Sequence, residues 1–162
     1  GLLATAWFST EYLRESWLQL QPHEAVTVGA DGFAAHEGLQ VRLVEATDLG
    51  GDPGLPGSDW APPAGFHAWR VVLETVSTNA DLTSSCDVVL VDAEGRQFQA
   101  TQFVENFADG YEYSYTCSPL PPDTDLGPEQ AVLALVPADA EIRTVEVTSR
   151  DLWPVFLQLP ID

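Results

Sequence analysis

Cys86-Asp87-Val88-Val89-Leu90-Val91-Asp92, then Ala93-Glu94-Gly95-Arg96, then Gln97-Phe98-Gln99-Ala100, is the stretch that decides the fold. The first part is apolar and rich in β-branched residues, the middle is a polar turn with a glycine, and the last part returns as a second strand. Together they read as a β-hairpin. Upstream, residues 67–78 extend as a long central strand with Trp69, Val71 and Leu73 on one face. Ala25-Val26-Thr27-Val28 is a short strand followed by an Asp31-Gly32 turn, and residues 39–44 alternate apolar with polar. Downstream, residues 111–117 alternate strictly, and residues 131–136, 141–148 and 152–159 supply the last strands. Pro154 predicts an edge or a bulge for the final one. No long helices alternate with these segments, which argues against a parallel α/β sheet. Eight or nine short strands with turns between them predict an all-β, antiparallel sandwich.

Between the strands lie two long irregular stretches. Residues 49–66 are dense in glycine and proline and carry Trp60, which is either an exposed anchor or a lid over the core. Residues 118–128 form a second loop of proline, aspartate and glycine.

The N-terminus reads differently. Ser9 can cap a helix over residues 10–19, Phe8 and Leu13 can staple it, and Leu13, Trp17 and Leu20 recur at helical spacing before Pro22 ends it. This short N-terminal helix is either a juxtamembrane stalk or a helix docked on the sheet. The first eight residues are apolar and uncharged, too few for a bilayer span of about 20. They read as the outer end of an anchor or signal segment that begins before residue 1, with a core-packing helix start as the alternative. The expected division is an N-terminal segment, 1–22, and a sandwich domain, 23–162.

Charge narrows the partners. Among 162 residues, 25 are acidic and 6 basic, all six arginine, for a net charge of −19. That opposes nucleic acid, whose phosphates need cations, and direct adsorption to anionic lipid. Membrane contact is expected only through the N-terminal segment. The acidity suits solubility, cationic partners or divalent metals. Cys86 and Cys117 read as a disulfide in an exported chain, with two buried free thiols as the alternative. A bridge over that separation stabilises by roughly 3–4 kcal/mol in the loop-entropy view.

Three segments together resemble a known family: His67-Ala68-Trp69-Arg70-Val71-Val72-Leu73-Glu74-Thr75-Val76-Ser77-Thr78-Asn79-Ala80-Asp81, Val88-Val89-Leu90-Val91-Asp92-Ala93-Glu94-Gly95-Arg96-Gln97-Phe98, and Leu126-Gly127-Pro128-Glu129-Gln130-Ala131-Val132-Leu133-Ala134-Leu135-Val136-Pro137. Residues 67–148 resemble the telokin-like immunoglobulin-fold domains of bacterial secreted lipoproteins. The resemblance covers about half the chain and does not include the cysteines or the tyrosine-rich stretch. It implies an immunoglobulin-like sandwich that serves as an exported interaction or structural module, with no catalytic residues to carry over.

Little else points to chemistry. His23, His36 and His67 form no close pair at metal-ligand spacing, and no nucleophile elbow, P-loop or dinucleotide fingerprint is present. Asp123, Asp125 and Glu129 are weak calcium candidates, as are Asp48, Asp52 and Asp59, and none has EF-hand spacing. Trp60, Phe66, Tyr111, Tyr113 and Tyr115 are the candidate partner-binding residues. An alternating tyrosine face either binds or packs across strands. The expected function is a non-catalytic, extracytoplasmic binding or structural module with no cofactor. Its loops 49–66 and 101–112 would face a protein partner, with a membrane protein among the candidates. The alternative is an accessory subunit of a membrane complex docked through the N-terminal helix, and a hydrolase is the third class.

Overall fold

Alternation becomes strand wherever one face can be buried. In β5 (Ser85–Asp92) the residues Cys86, Val88, Leu90 and Asp92 are buried while their neighbours are not. The computed structural model describes residues 21–83, 85–105 and 108–162. The segment 1–20, with the expected N-terminal helix, lies outside them.

Among the described residues, ten strands form two facing sheets. One holds β1 (Glu24–Thr27), β10 (Val155–Pro160), β9 (Ile142–Thr148), β5 and β6 (Gln97–Gln99), in that order, with β7 (Tyr115–Thr116) also paired to β5. The other has the order β2 (Phe33–His36), β3 (Leu39–Gly50), β4 (Phe66–Ser77) and β8 (Glu129–Pro137). Every ladder is antiparallel except that of β1 with β10. Leu39, Val41, Leu73 and Val132 on one sheet meet Leu90, Val145, Leu157 and Leu159 on the other, all wholly buried. Each such side chain contributes about 1.5–3 kcal/mol relative to exposure.

Several expectations are corrected. β10 is not an edge strand, because β1 and β9 flank it. Pro154 precedes its first residue, where no N–H is missed, and the Pro154 carbonyl accepts the His23 and Glu24 amides at 2.8 and 3.0 Å to start the β1 pairing. Of the predicted strand 111–117 only Tyr115 and Thr116 pair. β6 occupies β5 at Val89–Val91 and the Ala100 amide takes the Val88 carbonyl at 2.7 Å, and β7 pairs only with Ser85 and Cys86. The loop 49–66 is shorter than expected, since β3 runs to Gly50 and β4 starts at Phe66. β2 is an additional strand. A two-residue turn, Glu37 (φ 46) and Gly38 (φ 82), joins it to β3 in the doubly left-handed form that matches strand twist.

The β5–β6 hairpin is held by its own aspartate. The buried Asp92 carboxylate accepts the Glu94 and Arg96 amides and the Arg96 Nε at 3.0, 2.8 and 2.6 Å. Burial works to raise its pKa, but the Arg96 side chain and these amides outweigh it and hold the carboxyl below its ordinary value.

Candidate functional site

The two sheets are tied together where β7 meets β5. Cys86 and Cys117 form a disulfide with Cα atoms 5.8 Å apart, closing a sequence separation of 31, and both are buried. One residue into β7, the Tyr115 hydroxyl shares a hydrogen bond with the Thr75 hydroxyl of β4 in the facing sheet. Tyr115 is 2% exposed, and burial pushes its hydroxyl well above the usual tyrosine range, against the opposing effect of the Thr75 hydrogen bond. Next to it, the Gln130 side chain of β8 accepts the Thr116 amide and donates to the Thr116 carbonyl, both at 2.9 Å. That amide stands in for a strand partner and satisfies a peptide that would otherwise lack one. The disulfide, the hydroxyl pair and the glutamine clamp fix the root of the loop 117–128. A bridge of this kind points to an oxidising, extracytoplasmic compartment.

A second constellation joins the other two loops. The Asp109 amide donates to the Pro56 carbonyl at 2.8 Å, linking residues 51–65 to residues 100–114. Under them Leu55, Val104, Ala108 and Leu133 form a small buried cluster against the outer face of β8. The Thr101 and Glu112 amides donate to the Leu133 and Ala131 carbonyls at 2.7 and 2.8 Å, so this segment covers the β8 edge.

The five aromatic candidates part company here. Trp60 packs half-buried on the small cluster rather than on the main core. Tyr111 packs beside it, with the Arg70 guanidinium 5.8 Å from its ring centre. Tyr115 is in the core and offers no surface, because its β5 pairing turns it between the sheets. The three tyrosines therefore share no face. Tyr113, at 62%, and Phe66, at the start of β4, remain exposed.

The acidic candidates do not converge. Asp123, Asp125 and Glu129 are exposed, and among the described residues no group of three or more histidine, cysteine or acidic side chains is placed to hold a metal. Asp48 instead faces His67, 2.9 Å from its Nδ1. The other histidines stand elsewhere, His23 ahead of β1 and His36 in β2. No helix among the described residues is long and apolar enough to cross a membrane.

The sequence reading missed Phe103, which is 81% exposed and left-handed (φ 59), close to Thr101 (φ 68). It also missed Val76, Leu120 and Leu126, exposed apolar residues around the loop 117–128. Two leucines in a stretch of prolines and acids were the available signal. Nothing local marked Thr75 or Gln130.

No protein-family model matches the chain, and no curated protein matches it. Among solved structures, one similar to it is the crystal structure of an uncharacterized β-sandwich protein from Clostridium difficile 630. The two are 10% identical, with 88% of this chain and 96% of that chain covered and a TM-score of 0.46.

Proposed function

We propose that this protein is a non-catalytic binding module that works outside the cytoplasm. The observation that carries the reading is the buried Cys86–Cys117 disulfide at the junction of the sheets, anchoring the root of an irregular loop, residues 117–128. Rigid roots under irregular loops are the usual way a sandwich presents a binding surface.

Strand order supports the finer reading of an immunoglobulin-like sandwich of the telokin-like kind. β10, β9, β5 and β6 lie in the order expected of the G, F, C and C′ strands, opposite β3, β4 and β8 in the places of A, B and E. The partner is a protein of the cell envelope, since the net charge of −19 opposes nucleic acid and anionic lipid. Affinity capture from native membranes, with the full N-terminal segment kept, tests this. A specific protein recovered at constant stoichiometry supports it; hydrolysis of a small substrate by the purified chain counts against it.

A further inference from the structure

Beside the stapled junction, the loop 117–128 leaves a groove in two lobes, lined by apolar side chains among polar ones. One lobe, of about 270 Å³, lies between the end of β4 and the loop, walled by Val76, Leu120 and Pro128. The other, of about 240 Å³, lies on the far side of Leu120 and is walled by Leu126. Thr116, Leu120 and Gln130 line both, so the lobes adjoin. Val76, Leu120 and Leu126 are 42, 40 and 66% exposed, so each lobe offers apolar surface to a ligand.

The electrostatics choose the occupant. Glu112 and Glu129 line the second lobe, and Asp123 and Asp125 stand on the same loop. Among the described residues lining either lobe there is no arginine, lysine or histidine. A second copy of this chain would bring another −19 charges, and an anionic membrane would be repelled. The root is held by the disulfide and by Gln130, so ordering on binding costs little.

We propose that this two-lobed groove docks a segment of another protein that carries apolar side chains interleaved with lysine or arginine. The inference rests on the binding-module reading and specifies its ligand. The apolar side chains fill the lobes on either side of Leu120, and the cations meet Glu112 and Glu129.

The probe is a fluorescein-labelled heptapeptide alternating lysine with leucine, followed by anisotropy against the whole chain. It should bind, and peptides alternating lysine with serine or glutamate with leucine should bind at least tenfold more weakly. Leu120→Ser with Leu126→Ser should weaken it at least fivefold, and so should Glu112→Gln with Glu129→Gln. All four positions lie at the surface, so thermal midpoints should stay at the wild-type value. No binding overturns the proposal, as does equal binding of the lysine–serine peptide, which would mean adsorption by charge alone. Indifference to the leucine substitutions overturns it too. Capture from native membranes separates this from the broader reading. If wild type and the leucine variant retain the same partner, the groove is wrong and the module stands; if wild type retains none, the module reading fails.

Discussion

The hydroxyls of Tyr115 and Thr75 meet by hydrogen bond across the sandwich interior, one from each sheet, with the residues 40 apart in sequence. Both side chains are buried, so removing either oxygen strands the other away from water. Tyr115→Phe should therefore lower unfolding free energy by about 1–2 kcal/mol, and Thr75→Val by a similar amount. The double variant should cost less than the sum. Urea denaturation of the four proteins in the cycle measures this, and strict additivity would mean that the two hydroxyls do not interact.

Gln130 presents both ends of its amide to the Thr116 peptide. Gln130→Leu keeps the bulk and removes both hydrogen bonds, at a cost of about 1–3 kcal/mol. Hydrogen exchange at the Thr116 amide should accelerate about tenfold or more, since about 1.4 kcal/mol is a factor of ten. An unchanged rate at Thr116 would show that the amide is protected by something else.

Glu146 lies on the outer face of β9, opposite Val89 of β5 and Gln158 of β10, and burial raises its pKa above the ordinary 4.5. A carboxyl with a raised folded pKa binds its proton more tightly when folded, so its ionised form opposes folding. The penalty is complete above the folded pKa and disappears as pH falls below about 4.5. Glu146→Gln should raise the thermal midpoint at pH 7 and leave it nearly unchanged at pH 3.5. Equal effects at both pH values would rule out the ionisation as the cause.

Much of the sandwich could be read from periodicity. β5 and β9 each bury one alternating face, β4 and β8 are apolar runs buried on both, and the Asp92-to-Arg96 turn carries its own hydrogen-bonding aspartate. β2 was not legible, because Phe33-Ala-Ala-His36 has no alternation and is made by the turn at Glu37 and Gly38. The tyrosines misled for a different reason. Their spacing is that of a strand, but residues 111–114 are spent crossing to the β8 edge, where the Glu112 amide meets the Ala131 carbonyl. Pro154 misled because a proline just ahead of a strand breaks no ladder, whatever the strand's position in the sheet. The cysteines were legible as a pair, while Thr75 and Gln130 join them only through long-range folding.

The Cys86–Cys117 bond supports both the location and the anchored loop. Closing a separation of 31 contributes about 3.5–4 kcal/mol in the chain-entropy view, so reduction should lower the thermal midpoint and loosen the loop 117–128. The most direct measurement is the thiol state of both cysteines in protein taken from the cells that make it, alkylated before any reduction and read by mass spectrometry. A peptide linked through Cys86 and Cys117, with no alkylated thiol, is the predicted result. Both cysteines alkylated without reduction would contradict the stapled, extracytoplasmic module.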